Sequence, residues 1–378
     1  MKVLINAANL HVGGGVQVAA SFLFELSDYL LHGQKSAEQS YAVLCSSEVY
    51  KQLPVGFDES VFDSFSIINI YGLKQPNKNI KDKFSQFDVC FTVFGPLYFT
   101  PKSGVHICGF AQAWIAYKKN LAFKQLSFWE RIKSFLKFES QWYFFRKADQ
   151  LVVEQSHVKQ ALITQRGMLA NKIDVVDNCI SSIYRTPSLW EPLANKLPDE
   201  EGVISLGFLG RAYAHKNLAI LPAVNELLAK KYGLSIRFVF TLTNEEMEGL
   251  GFDLLPNFHT IGSISNAQCP SFYQWIDALI FPSLLECFSA TPIEAMVMKT
   301  PVFASDLPFV RGVCEDAIFY FDPLNADSIA QVVAANISTP SSLLEQVEKG
   351  YLKVLNMPSA TERSHKYIEL ITLHSSEK

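Results

Sequence analysis

The stretch Ala278-Leu279-Ile280-Phe281-Pro282-Ser283-Leu284-Leu285-Glu286-Cys287-Phe288-Ser289-Ala290-Thr291-Pro292-Ile293-Glu294-Ala295-Met296 reads as a buried strand, a loop and a helix in direct succession. Ala278 to Phe281 are apolar enough to be covered on both faces, the loop carries Glu286, and Pro292 suits the first position of a helix, where a missing N–H is harmless. Thr291 to Glu294 fits the S/T-x-x-E pattern, so one reading of Glu294 is a capping box. A second reading takes the carboxylates together. Glu286 and Glu294 bracket a loop and helix start whose backbone donors could hold a phosphate, while the carboxylates accept hydrogen bonds from sugar hydroxyls.

The same succession repeats in both directions. Strand-like runs at Val3 to Asn6, Tyr41 to Cys45, Ser66 to Ile70, Val89 to Phe94, Leu151 to Val153 and Ile173 to Val176 alternate with helical patterns. Ile204 to Leu209, Ile236 to Leu242, Pro301 to Ala304 and Ile318 to Phe321 continue the series. Such alternation predicts an α/β chain with parallel sheets covered by helices. Thr186-Pro187-Ser188-Leu189-Trp190-Glu191-Pro192 and Leu197-Pro198-Asp199-Glu200-Glu201-Gly202 interrupt both periodicities. The expected layout is therefore two Rossmann-like, doubly wound domains: residues 1–185, a linker 186–201, and residues 202–357. A closing helix, 358–378, is expected to pack back on the N-terminal domain.

Composition narrows the function. The 378 residues carry 33 Lys+Arg against 37 Asp+Glu, a net charge of -4, which lacks the basic excess of a nucleic-acid binder. No apolar run approaches the roughly 20 residues of a membrane span. The N-terminus turns polar at Asn6, too early for a signal peptide, and predicts a cytoplasmic protein. The seven cysteines are scattered and never spaced C-x-x-C, which indicates neither a disulfide framework nor a zinc site.

Two further segments hold candidate ligand groups. Asn9-Leu10-His11-Val12-Gly13-Gly14-Gly15-Val16 is a glycine-rich turn between the first strand and a helix. It suits either a tight turn needing positive φ or the approach of a ligand to backbone N–H groups. It is not G-x-G-x-x-G, which disfavours a nicotinamide enzyme. Gly210-Arg211-Ala212-Tyr213-Ala214-His215-Lys216-Asn217-Leu218 follows a strand, with Asn217 as the expected N-cap of the next helix. Arg211 and Lys216 are either solvated surface cations or a clamp for a diphosphate.

These residues resemble the family-4 retaining glycosyltransferases, whose GT-B fold sets two Rossmann-like domains across a cleft. Glu286 through Glu294 resembles that family's E-x7-E signature, Gly210-Arg211 with Lys216-Asn217-Leu218 its phosphate-binding segment, and Gly13-Gly14-Gly15 its first glycine loop. Val152-Val153-Glu154-Gln155-Ser156 with Val175-Val176-Asp177-Asn178 resembles the end of its N-terminal domain. The resemblance implies that Arg211 and Lys216 neutralise the donor pyrophosphate, Glu294 binds ribose hydroxyls and Glu286 sits by the transferred sugar. It implies donor contacts from Gly14, Gly15, Phe288, Ser289 and Ala290, and a base-lining loop around Gly262-Ser263-Ile264. The N-terminal domain becomes the acceptor side, where His106 or Gln112 is the candidate sugar contact. Lys299 and Ser289 stand where the family commonly has glycine, and Lys299 in a left-handed conformation would carry about 1 kcal/mol of strain.

The implied reaction retains anomeric configuration and transfers sugar from a nucleotide-sugar to a lipid-linked glycan acceptor of a bacterial surface polysaccharide, O-antigen or capsule. A diphosphate leaving group is neutralised by cations and needs no protonating carboxylic acid. No Asp-x-Asp occurs, so no metal or other cofactor is expected. The alternatives are a sugar-nucleotide epimerase of the same fold and a silent partner subunit. Tyr117 to Ala148 carries eight basic residues against two acidic ones. Phe128, Trp129, Ile132, Phe135, Leu136, Trp142 and Tyr143 recur there at helical spacing, with Phe138, Phe144 and Phe145 off the stripe. The stripe either packs on the sheet or lies on an anionic membrane surface at the inner face of the cytoplasmic membrane.

Overall fold

A computed structural model describes residues 1–33, 39–54, 56–72 and 76–375. The chain divides into two compact units. One comprises Met1–Lys118, Glu130–Cys179 and Pro358–Lys378; the other comprises Lys119–Trp129 and Ile180–Met357.

The first unit contains β1 (Lys2–Ala7), β2 (Ser40–Cys45), β3 (Ser64–Ile67), β4 (Val89–Thr92), β5 (Val105–Phe110), β6 (Gln150–Val153) and β7 (Ile173–Val175). All pairings are parallel, in the order β3-β2-β1-β4-β5-β6-β7. Alternate residues serve opposite faces, which is why the strands read as unbroken apolar runs. Val3, Ile5, Val43 and Phe91 meet Phe22, Leu23 and Leu26 of the helix Gly14–Leu31, while Leu4, Ala42, Leu44 and Cys90 form a second layer with Phe84 and Leu97.

The helix Ala360–Ser375 completes the first layer through Tyr367, Ile368 and Ile371, with the Tyr367 ring 5.2 Å from Phe22. Its buried Arg363 donates to Asn178 Oδ1 at 2.6 Å and to Ser21 Oγ at 2.9 Å. Asn178 in turn donates to the buried Glu154 at 2.5 Å. Burial pushes the Glu154 carboxyl up to about 7, against the lowering effect of Asn178 and Arg363.

The second unit contains β8 (Val203–Phe208), β9 (Ser235–Phe240), β10 (Phe258–Thr260), β11 (Ala278–Phe281), β12 (Val302–Ser305) and β13 (Phe319–Phe321), parallel in the order β10-β9-β8-β11-β12-β13. The division between units falls at Cys179–Ile180, ahead of the expected position, and 186–201 is not a free linker. Glu191 N donates to Ala267 O at 2.9 Å, Ser271 Oγ to Glu191 O at 2.7 Å, and Gln268 Nε2 to Pro192 O at 3.0 Å. Pro and turn residues broke the sequence periodicity because this strap bonds to the 3-10 turn Asn266–Gln268 and the helix Cys269–Trp275 rather than joining a sheet.

Within the basic segment the α-helix spans only Phe128–Phe145, preceded by a 3-10 turn at Leu121–Gln125. Its packed face is the one expected to lie off the stripe: Phe145 is buried on Phe110, and Phe138 stacks on Trp114 at 5.6 Å. Of the stripe itself only Trp142 is buried; Phe128, Trp129, Ile132, Phe135, Leu136 and Tyr143 are exposed. Arg166 anchors the helix through an ion pair with Glu139. No helix among the described residues is long and apolar enough to cross a membrane.

Candidate functional site

In an open α/β sheet, ligands bind outside the carboxyl ends of the strands where the strand order reverses. In the second unit that point lies between β8 and β11. The loop after β8 carries Arg211 and Lys216, and the loop after β11 carries Glu286. Leu284 N donates to His215 O at 2.7 Å and ties the two loops together.

Lys216 Nζ donates to Glu286 Oε1 at 2.6 Å, and both side chains are largely enclosed. Ser283 Oγ donates to the same oxygen at 3.1 Å, and His215 Nε2 lies 3.7 Å from it. Burial holds His215 below the ordinary histidine range, against the raising effect of Glu286, so its ring is neutral at pH 7. The ring stacks on Tyr213 at 5.6 Å. Arg211 is more open and donates through Nε to Glu246 Oε1 at 2.8 Å. Glu246 also closes a capping box with Thr243, and its S/T-x-x-E spacing was visible in the sequence.

Three local expectations are corrected. Asn217 is not an N-cap: it takes a left-handed conformation (φ 56) between short 3-10 turns, and the helix starts only at Leu221. Its side chain is committed elsewhere, donating to Pro323 O at 2.7 Å and accepting from Gln125 at 3.2 Å. Pro292 is the third residue of the helix Ala290–Val297, not the first. No Thr291–Glu294 capping box forms, because the helix begins too early for Thr291 to precede it. Its N-cap, Ser289, supplies no side-chain bond, which leaves the first-turn N–H groups beside Phe288, Ser289 and Ala290 without a side-chain cap.

Glu294 instead accepts from Tyr273 Oη at 2.9 Å. Burial raises its carboxyl, while hydrogen bonds from Tyr273 and Tyr184 lower it. Neither tyrosine was a sequence candidate. At Gly262 the chain turns with φ 77, its N–H satisfied by Thr260 Oγ1 at 3.0 Å, and Asn195 of the strap holds Ile261 O at 3.3 Å. Ile264 packs against the apolar core of this unit.

The first unit has its own reversal point between β1 and β4. Gly13 (φ 76) caps the helix beginning at Gly14, and a Cβ on Gly15 would stand 3.4 Å from the Phe94 ring. Asn9 Nδ2 donates to Phe94 O at 2.8 Å, joining the loops after β1 and β4. His106 is not at this end. It is the second residue of β5, buried, with Nε2 3.1 Å from Thr92 Oγ1 and its backbone N–H bonded to Asp149. Burial pushes its imidazole down to about 4. Gln112 follows the carboxyl end of β5 and is half-buried. Among the described residues no cluster of His, Cys, Asp and Glu could hold a metal ion.

Residues 191–353, nearly the whole second unit, match the family model of the glycosyl transferases group 1. The match covers less than half of the chain and falls on the unit that holds Arg211, Lys216, Glu286 and Glu294. The O-antigen chain mannosyltransferase RfbU of Salmonella typhimurium is 25% identical over 170 residues, 44% of this chain. That match spans about half, 47%, of the relative's length. Among solved structures, HepE of Anabaena in complex with UDP and glucose superposes with a TM-score of 0.65 at 13% identity, covering 99% of this chain and 100% of its own. WaaG, a glycosyltransferase involved in lipopolysaccharide biosynthesis, gives 0.66 at 12% identity, with 98% and 100% covered. The likeness establishes the fold, two doubly wound domains of the GT-B class.

Proposed function

We propose that the protein is a retaining glycosyltransferase. It moves a sugar from a nucleotide-sugar donor to a lipid-linked glycan acceptor in the assembly of a bacterial surface polysaccharide, on the inner face of the cytoplasmic membrane. The observation that carries this reading is the Lys216–Glu286 pair, drawn from loops 70 residues apart to the strand-reversal point of a group 1 domain. The O-antigen mannosyltransferase among its relatives supports the product class.

In this reading the donor diphosphate exchanges with the carboxylates for the cations. Lys216 leaves Glu286 for a phosphate oxygen as a point charge, and Arg211 turns from Glu246 to grip the diphosphate with its planar fork. Glu286, released, accepts from hydroxyls of the transferred sugar, and Glu294 accepts from the ribose. First-turn N–H groups at Ser289 and Ala290 add donors. The C1–O bond to the leaving diphosphate breaks as the acceptor oxygen bonds C1 on the same face, and the acceptor's proton passes to the departing phosphate oxygen. These cations and backbone donors perform the charge neutralisation, so the reading contains no metal and no other cofactor.

The helix Phe128–Phe145 supports a peripheral membrane site. Its exposed Phe128, Trp129, Ile132, Phe135 and Leu136 are flanked by Arg131, Lys133 and Lys137, an arrangement suited to an anionic interface. Replacing Lys118, Lys119, Lys124, Lys133 and Lys137 by Gln should weaken co-sedimentation with phosphatidylglycerol vesicles. Equal sedimentation would overturn that part of the reading.

The test of the whole is thermal stabilisation by UDP, GDP, ADP and CMP and their sugar conjugates, since a ligand at about 100 times Kd stabilises by about 2.7 kcal/mol. One nucleotide should shift the wild type and fail to shift Arg211→Ala and Glu294→Ala. No shift at millimolar concentration would sink the proposal, and sugar turnover without an acceptor would favour an epimerase instead.

A further inference from the structure

The Glu294 carboxylate is held from behind by two tyrosines that the implied reaction does not use. Tyr273, on the helix Cys269–Trp275, is 1% exposed and donates to Oε2 at 2.9 Å. Its hydroxyl also lies 3.3 Å from Thr291 O, but it has one proton, and the shorter contact to a charged acceptor is the stronger. Tyr184, 6% exposed, comes from the 3-10 turn Ser182–Arg185, packs beside Tyr273 and acts on the same carboxyl, lowering it. The two rings lie 6.1 Å apart.

Neither support is free to swing. Trp190 Nε1 donates to Ile183 O at 2.7 Å, and Arg185 Nη2 donates to Val354 O at 3.3 Å, so the turn bearing Tyr184 is bonded on both sides of it. Thr300 Oγ1 donates to Tyr273 O at 2.8 Å, fixing the other. An ionised carboxylate offers about four lone-pair sites. The Tyr273 donor occupies one and leaves at least the two that a pair of adjacent hydroxyls requires.

We propose that Tyr184 and Tyr273 are positioning residues that hold Glu294 as a fixed two-site acceptor for a vicinal diol, the ribose of the nucleotide donor. This rests on the reading of the site as a nucleotide-sugar site. The groups facing the Glu294 carboxylate are Tyr184, Tyr273 and Cys269, whose thiol burial pushes up to about 12. All three are therefore neutral at pH 7, and the tyrosine hydrogen bonds are what oppose the burial that favours the protonated acid. Removing either hydroxyl lets the carboxyl rise further, and a protonated Glu294 loses an acceptor site.

The experiment is calorimetric binding between pH 5 and 8 of whichever of UDP, GDP, ADP and CMP the wild type takes, using the full chain as wild type, Tyr184→Phe, Tyr273→Phe and Glu294→Gln. Each Phe variant loses one oxygen and keeps its ring, and circular dichroism checks that each is folded. Affinity in the Phe variants should fall about tenfold at pH 6 and less at pH 8. KM for the donor should rise with kcat held within about twofold. In a Glu294→Gln background the Phe substitutions should have no further effect. If Glu294→Gln weakens binding but both Phe variants bind with the wild-type pH profile, or weaken equally at every pH, the positioning role is overturned and the nucleotide-sugar reading stands. If the wild type binds none of the four nucleotides, both fall.

Discussion

Lys216 and Glu286 share a 2.6 Å hydrogen bond that closes the loop after β8 onto the loop after β11. Their side chains are only 13% and 15% exposed, so each is the other's main compensation for lost water. The pair predicts opposite outcomes for its two members. Lys216→Ala should weaken binding of both a nucleotide diphosphate and its sugar conjugate more than tenfold. Glu286→Gln should leave the sugar-free nucleotide bound at least as tightly, since Lys216 is released, while transfer falls by about 100-fold or more. Calorimetry beside a transfer assay reads both; equal losses in the two variants would contradict the exchange.

His106 makes a prediction about pH. Its folded pKa, about 4, lies below the ordinary value of 6.5, so the unfolded chain binds the proton first. Its contribution is complete above pH 6.5 and is lost as pH falls toward 4, by up to about 3 kcal/mol. The buried Glu154, raised to about 7, tilts the other way, costing stability as pH rises from 4.5 to 7. His106→Gln should therefore lose less stability than the wild type between pH 6.5 and 4 in urea titrations, with transfer at pH 7.5 largely retained. A large loss of transfer in a folded variant would return His106 to the substrate.

Two glycines test close packing. A Cβ on Gly109 would stand 1.7 Å from Val93 O, a backbone atom that β4 and its following loop hold in place. Gly109→Ala should cost more than about 4 kcal/mol or prevent soluble expression. A Cβ on Gly207 meets the movable end of Ile276 at 2.4 Å, and Gly207→Ala should cost about 1–3 kcal/mol by denaturation. Equal costs would show that the backbone near Val93 yields.

Lys299 adopts φ 58 just past the helix Ala290–Val297, where its N–H bonds Met296 O. Its ammonium pairs with Glu348 at 3.0 Å and lies 4.2 Å above the Tyr351 ring. Lys299→Ala keeps the strain and loses both contacts, whereas Lys299→Gly loses the contacts and relieves the strain. The Gly variant should be the more stable of the two by about 1 kcal/mol. An Ala variant equal to Gly would mean that the turn is not strained.

Most of the strand order, the parallel sheets and the placing of Arg211, Lys216 and Glu286 at loops after strands were legible in the residues, although β5 (Val105–Phe110) and β10 (Phe258–Thr260) are not among the runs read as strands. Apolar runs and their punctuation are local, and a loop after a strand is a loop whatever surrounds it. The left-handed turn at Lys299 was raised by the resemblance, from the glycine the family commonly has there, and not by the residues themselves. What the residues by themselves did not determine is which groups meet. Glu246 for Arg211, Tyr184 and Tyr273 for Glu294, and Thr92 for His106 are pairings across strands or across long sequence separations, with no periodicity to announce them. The face on which the helix Phe128–Phe145 packs stayed open for the same reason, since its sequence offers aromatic residues on more than one side. Only the tertiary structure, by presenting Trp114 and Phe110 to Phe138 and Phe145, decided which side is covered. Hydrophobic burial is non-directional and can be anticipated from pattern, but a hydrogen bond or ion pair requires two particular atoms within about 3 Å, and only the folded chain supplies that distance.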